Sequence, residues 1–343
     1  MPELKLYTVA DLREWVMHNR AAEGLSERFI APTRAWAIIH NPYVHDQDPV
    51  VAVIFVDNEA AACTTAFPEL IGNQRYWWFS ALWCRPKYQG KGYGLIVIGA
   101  IAEVYGAEYC LDRWGAVETV AIFNYLKHKT IYTPRYILGA QIKRTTTKGK
   151  IVFMVRQLQR SVHAIFEQSL KKETYSLRYM PFIDDATYEF IVSHRNDYSF
   201  LHTQEFMNWV LRYTMTISAP LLHRVENQTP FSASEAMNSQ IFAVQVHDCS
   251  QIIGFYLMKK VNDSLYILYL YYDEEQRKKV YASIRDHVKY MNVTQCVSEN
   301  KDLADYLRSQ IYFPKYNIAS ISFSYPDHFF VQQSIKMQCG DGD

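Results

Sequence analysis

The residues best suited to chemistry lie in one stretch, Leu82-Trp83-Cys84-Arg85-Pro86-Lys87-Tyr88-Gln89-Gly90-Lys91-Gly92-Tyr93-Gly94-Leu95. A strand-like apolar run enters a loop with glycine at three alternate positions, and a helix-like apolar run leaves it. Glycine reaches backbone dihedrals that other residues avoid, and it puts no side chain between a ligand and the main chain. The first turn of a helix exposes unpaired N–H groups at the positive end of its dipole. Together they make a cradle for a phosphate or pyrophosphate, with Lys91 as an added cation. Two common phosphate loops do not fit. The dinucleotide fingerprint needs glycine where Leu95 stands, and the triphosphate loop needs Ser or Thr after its lysine, where Gly92 stands.

The order found here, a hydrophobic strand, a Pro86-x-Tyr88 turn and then Gln-Gly-x-Gly-x-Gly, resembles the acyl-CoA loop of the GNAT superfamily of acyl-CoA-dependent N-acyltransferases. That resemblance implies that a bulge splays the strand before the loop from its neighbour. The main chain of Leu82, Trp83 and Cys84 would then bind the pantetheine arm and polarise the thioester, with the pyrophosphate on the amides of Gln89, Gly90, Lys91, Gly92, Tyr93 and Gly94. It implies acetyl-CoA, or another acyl-CoA, as co-substrate. A second match is Ala121-Ile122-Phe123-Asn124-Tyr125, similar to the family's Ala-x-x-x-Tyr pattern. The resemblance makes Tyr125 the general acid that protonates the leaving thiolate. This helix departs from the family in having Glu118 where Asn is usual and Lys129-Thr130 where Gly-Phe usually ends it.

N-acylation needs an amine that has lost its proton, so a base must lie near the thioester. The strand Tyr76 to Cys84 has no acidic residue. The remaining candidates are Glu69, expected in a loop after a strand pair, and His40 or His45 in the turn-rich segment 40–46. His40, His45, Asp46 and Asp48 fit no zinc spacing, so no metal is expected. No G-x-S-x-G occurs and nothing singles out a nucleophilic cysteine, which favours direct attack over a covalent intermediate.

The elements that must position these groups read in the same order twice. The first half reads as a strand at Leu4–Val9 and a helix at Asp11–Asn19 capped by Asp11. Strands follow at Val50–Asp57, Ala60–Phe67 and Tyr76–Cys84. After the loop come a helix at Tyr93–Tyr105, a short strand, a helix at Glu118–Lys129 and a closing strand pair across Tyr136–Val155. The second half opens with a strand at Tyr175–Met180 and an aromatic, helix-spaced stretch at Phe200–Tyr213. Strands at 242–246, 251–259 and 265–272, a helix at 274–291, a strand at 293–298, a helix at 301–309 and a strand at 318–324 complete it. At the place of the glycine loop stands Asp273-Glu274-Glu275-Gln276. Asp273 and Gln276 have the spacing of a capping box, and the acids would repel a pyrophosphate. The expected architecture is thus α/β: two tandem GNAT-like domains, each a mixed, mostly antiparallel central sheet flanked by helices. Residues 1–158 would bind acyl-CoA, and residues 159–343 would be a degenerate copy, with the join near 156–172.

The 343 residues are 49% hydrophobic and carry a net charge of +1, with 36 basic against 35 acidic groups. Such balance argues against gripping a nucleic-acid backbone. No apolar run approaches the roughly 20 residues of a membrane span, and Met1-Pro2-Glu3-Leu4-Lys5 does not read as a signal peptide. Six scattered cysteines without a C-x-x-C pair read as reduced thiols of a cytoplasmic protein. Two functions remain open. One is an N-acyltransferase acting on an amine of a small molecule, sugar or peptide; the other is a non-catalytic acyl-CoA-binding or scaffold protein. In either case the second half is free to wall the acceptor cleft or join subunits.

Overall fold

The computed structural model describes the chain except residues 20–28, 31, 114, 141–146, 148–149, 152–153, 156–157, 159–172, 196–199, 214–238, 312, 314, 330–335 and 341–343. The first half comprises β1 (Glu3–Thr8), α1 (Val9–Asn19), α2 (Pro32–Ile39), β2 (Pro49–Val56), β3 (Glu59–Ile71), β4 (Gln74–Cys84), α3 (Tyr93–Tyr105), β5 (Cys110–Arg113), α4 (Val117–Tyr125) and β6 (His128–Gly139). Thr8, not Asp11, caps α1. Thr8 Oγ1 accepts the Asp11 N–H at 3.2 Å while Asp11 accepts the Thr8 N–H at 2.7 Å, a reciprocal capping box. Asp57 and Asn58 join β2 to β3 with φ of 51° and 63°, as a two-residue hairpin turn requires. The second half comprises β7 (Ser176–Met180), α5 (Asp185–Ser193), α6 (Gln204–Arg212), β8 (Ser239–Asp248), β9 (Gln251–Val261), β10 (Ser264–Tyr272), α7 (Arg277–Tyr290), β11 (Gln295–Ser298), α8 (Lys301–Gln310) and β12 (Tyr316–Pro326).

Both halves have the expected mixed, mostly antiparallel sheet, but the two sheets are one. Its twelve strands run β1-β2-β3-β4-β5-β12-β6-β11-β10-β9-β8-β7. The order is symmetrical about the β12–β6 pair, because each half gives its last strand to the other. β12 lies between β5 and β6, with Ser324 opposite Asp112 and Tyr316 to Pro326 opposite Leu138 to His128. β6 in turn pairs on its other edge with β11, through Tyr136 to Gly139.

This exchange corrects one expectation. The closing strand pair expected across Tyr136–Val155 is not found: among the described residues β6 is its only strand, and Lys150, Ile151, Met154 and Val155 are helical. Both edges of β6 are taken by β12 and β11, so no place is left for a hairpin partner. Ile151, Met154, Val155 and Leu158 also have the spacing of a helical stripe. The helix expected at Glu118–Lys129 ends earlier, at Tyr125. Lys127 turns the chain at φ 63° and β6 begins at His128. The join placed at 156–172 lies, apart from the helical Leu158, outside the described residues.

The exchange also mixes the cores. Phe200, Phe206 and Trp209 from the second half, with Phe323 from β12, pack among Trp77, Trp78 and Phe67 of the first. Trp209 Nε1 donates to the Ala37 carbonyl of α2 at 2.7 Å. Conversely, Tyr136 and Leu138 of β6 belong to the core beneath α7 and α8.

Candidate active site

β4 and β5 are parallel neighbours at three positions: Trp77 with Cys110, Trp78 with Leu111 and Phe79 with Asp112. Beyond Phe79 the ladder to β5 stops. On the other edge of β4, Thr65 faces Ser80 and Cys63 faces Trp83, so Thr64 opposes two residues and β4 carries a bulge. Ala81 occupies it at φ 53°, a left-handed conformation that costs a non-glycine residue about 1–2 kcal/mol. A bulge bends its strand and sharpens the local twist, which turns Leu82, Trp83 and Cys84 away from β5. Leu82 then faces the start of α3: its Cδ1 lies 4.0 Å, and that of Ile122 on α4 3.6 Å, from where a side chain at Gly94 would begin. Bulge, loop and α4 thus meet at one corner.

The loop is pinned to the β2–β3 hairpin. The Arg85 N–H donates to Ala61 O at 2.9 Å, and Arg85 Nε donates to Ala60 O at 2.7 Å. Glu59 holds three neighbours: Tyr88 Oη donates to it at 3.1 Å, Lys87 pairs with it, and Arg85 Nε lies 3.5 Å away. The Lys87 contact, helped by Tyr88 and Arg85, holds the Glu59 carboxyl below the usual carboxylate range. Gln89 Nε2 donates back to Cys84 O at 3.3 Å. Gly90 and Gly92 then take φ of 77° and 78°, and a Cβ at either would meet nothing within 4 Å. Gly92 caps α3 without a side chain, and the first N–H turned back into the helix is that of Ile96. The amides of Tyr93, Gly94 and Leu95 point out of the helix end, as an anion cradle requires. Lys91 is exposed, its Nζ 5.2 Å from the Tyr88 ring centre. Leu82 to Cys84 thus lead from the bulge through the Arg85–Tyr88 turn into the glycine loop, which ends at the open first turn of α3.

The catalytic candidates separate sharply. Tyr125 ends α4 one turn after Ile122 and is 74% exposed, so its ring is not a core contact. Glu69 lies within β3, not in a loop, and is 1% exposed. It accepts from Trp78 Nε1 at 2.6 Å and pairs with His202 of the second half. That role is structural and leaves Glu69 away from the bulge. His40 is held by the Trp36 carbonyl through Nδ1 at 2.8 Å and stacks on Tyr213. His45 sits in a turn whose carboxylate, Asp48, is bound by Arg75 at 2.9 Å. Neither histidine joins the corner. Burial pushes the Cys84 thiol up, away from a reactive thiolate.

Sequence reasoning passed over Asp112. It stands opposite Phe79, at the last rung before β4 leaves β5, and is 4% exposed. Its Oδ2 has no hydrogen-bond partner and lies 2.6 Å from where a side chain at Gly115 would begin. Burial raises its carboxyl from 3.8 to about 7. The next residue, Arg113, shares the buried Glu299 with Arg135, whose Nη2 lies 2.7 Å from that carboxylate. The one available signal was an acid in the four-residue strand just before the helix that carries Tyr125.

In the second half Asp273 Oδ1 accepts the Glu275 N–H at 3.0 Å, but α7 starts only at Arg277, and Gln276 makes no cap bond with its side chain. The expected capping box is half formed. Arg277 pairs with Glu274 at 2.7 Å. Among the described residues, no cluster of three or more His, Cys, Asp or Glu side chains is placed to hold a metal, and no helix is long and apolar enough to cross a membrane.

Residues 9–125 match the sequence model of the acetyltransferase (GNAT) family. No curated protein matches the sequence. Among solved structures, the chain is similar to an acetyltransferase described as putative from Pyrococcus horikoshii, at 10% identity and a TM-score of 0.53, over 99% of this chain and 93% of that one. It is also similar to the N-myristoyltransferase of Saccharomyces cerevisiae with bound myristoyl-CoA, at 13% identity and a TM-score of 0.52, over 94% and 82%. At such identities the likeness is one of fold. Because it runs nearly end to end, it takes in both halves and not only the matched segment.

Proposed function

From a first half that carries the GNAT acetyltransferase signature over residues 9–125, we propose that the protein is an N-acyltransferase that uses acetyl-CoA or another acyl-CoA. The open positions of Gly90 and Gly92, together with the bulge at Ala81 that brings Leu82 Cδ1 to 4.0 Å from the Cβ position of Gly94, support this reading most strongly. The pyrophosphate rests on the amides of Gln89 to Gly94, and the pantetheine arm runs along Leu82, Trp83 and Cys84. Main-chain N–H groups there polarise the thioester carbonyl, a contribution worth about 10²–10³ in rate where it has been measured. The acceptor amine attacks the carbonyl carbon, the amide bond forms and the C–S bond breaks. Asp112 takes the amine's proton, directly or through one water, and Tyr125 gives a proton to the departing thiolate. The acceptor is an amine of a small molecule, sugar or peptide. We further assign residues 1–158 to the acyl-CoA-binding domain and 159–343 to the degenerate one, in a cytoplasmic protein.

The Gly92→Glu variant tests the cradle. It puts a carboxylate into the anion site at a position with room for it, and calorimetry should show acyl-CoA affinity falling by about two orders of magnitude or more. Unchanged affinity in a folded variant would remove the cradle. The deep burial of Asp112 favours one second reading, a protein that binds acyl-CoA without turnover. Release of free thiol from acetyl-CoA in the presence of a pool of amines separates the two.

A further inference from the structure

The second half repeats the splay. β10 and β11 are parallel neighbours at Ser264–Gln295, Leu265–Cys296 and Tyr266–Val297, and there the ladder stops. On the other edge Ile267 faces Met258 and Tyr269 faces Leu257, so Leu268 is the extra residue of a bulge. Placing Tyr266 on Phe79 sets Leu268 on Ala81, Tyr269 on Leu82 and Leu270 on Trp83. On the acyltransferase reading, those positions of the first half hold pantetheine.

In the second half a peptide lies there. The Gly340 N–H donates to Leu268 O at 2.9 Å, Tyr269 Oη donates to Gly340 O at 2.8 Å, and the Leu270 N–H donates to Gln338 Oε1 at 2.8 Å. Met337, Gln338, Cys339 and Gly340 are buried, and their contacts fall in opposite order along β10, Gly340 at Leu268 and Gln338 at Leu270. Gly340 must be glycine, since a Cβ there would stand 2.5 Å from the Tyr269 ring. On its far side the segment touches the first half, where Arg113 donates to the Gln338 carbonyl. Arg113 is the neighbour of Asp112. The phosphate end of the slot is missing, because Asp273, Glu274 and Glu275 replace the glycine loop.

We propose that the second half has kept the splayed-strand slot as a peptide-binding site, that Met337–Gly340 fills it as pantetheine fills the first, and that this occupant fixes Arg113 beside Asp112. The slot analogy rests on the acyltransferase reading; the peptide site does not. A chain of residues 1–335 should bind a labelled synthetic peptide of residues 336–343 saturably in fluorescence anisotropy. The same peptide with Gly340→Val should bind at least about tenfold more weakly, because a side chain cannot pass Tyr269. A folded 1–335 chain that ignores the peptide, or binds both versions alike, overturns the proposal.

Should 1–335 fail to fold, the full chain with Gly340→Val carries the test. Hydrogen exchange at the Leu270 amide should accelerate, and kcat should fall about tenfold or more while acyl-CoA affinity stays within about twofold. Unchanged protection at Leu270 would refute the slot. Lost acyl-CoA affinity would make the segment part of the fold's general support. Peptide binding in a protein that transfers no acyl group would leave the site standing and remove only its likeness to a pantetheine slot.

Discussion

Replacing Asp112 by Asn should make the protein more stable above neutral pH and nearly inactive. Burial lifts this carboxyl from 3.8 to about 7 because a charge there has neither water nor a hydrogen-bond partner at Oδ2. The folded protein therefore holds the proton more tightly than the unfolded chain. Stability from this group is complete below about pH 4, declines between 3.8 and about 7, and is gone above that. The interval spans about three pH units at roughly 1.4 kcal/mol each, a ceiling of about 4 kcal/mol. Local rearrangement and water entry should leave about 1–3 kcal/mol. Asn has nearly the same shape and no charge, so it avoids the cost at every pH. Urea denaturation of both proteins at pH 5 and pH 8 reads about two of those three units: the variant's advantage should grow by about 1–2 kcal/mol from the lower pH to the higher. In the wild-type protein kcat/KM should rise through an apparent pKa near 7, and the variant should lose about 10²–10⁴ of its turnover. If the stability advantage is the same at both pH values, the carboxyl is not held neutral by burial. If turnover persists, Asp112 is not the proton acceptor.

Tyr125→Phe should lower kcat by about 10²-fold and leave acyl-CoA affinity alone, because the ring is exposed and its loss costs the core nothing. Thiol release under saturating substrate reads this, and unchanged turnover would dismiss the hydroxyl as the acid. Glu299→Gln should destabilise the fold by about 3–5 kcal/mol, since Arg113 and Arg135 would then share a buried site with no carboxylate. A loss under about 1 kcal/mol in urea denaturation would mean that another group neutralises the pair.

Much of the fold was legible where the signal is local. The Asp57-Asn58 turn, the apolar helix after the glycine loop and the buried strands β2, β4 and β10 follow from short-range pattern. The exchange of β6 and β12 was not, because it depends on which edge is free, and edges are set by strands more than 150 residues apart. That blindness produced the error at 150–155, where an apolar run looked like a hairpin partner for a strand whose two edges were already filled. The glycine loop was legible because few jobs require three alternating glycines before a helix. Asp112 was not: one acid in a four-residue strand has no periodicity. Glu69 misled for the opposite reason, since its partner His202 comes from the second half and meets it only once the two halves pack.

On the proposed function, the strand exchange also explains why a half without the glycine loop stays attached to the half that has it. Asp112 is opposite Phe79 on one side and Ser324 of β12 on the other. Remove β12 and the edge of β5 opens to water, the carboxyl returns toward its ordinary range, and the proposed base, tuned to neutral pH, becomes a weak one. Arg113 likewise takes its partners, Glu299 and the Gln338 carbonyl, from the second half. On the proposed function, the first half supplies the groups that grip the acyl carrier. The environment that sets the basicity of Asp112 is built from both halves, so acyl-CoA binding and proton transfer should respond separately to changes in the second half.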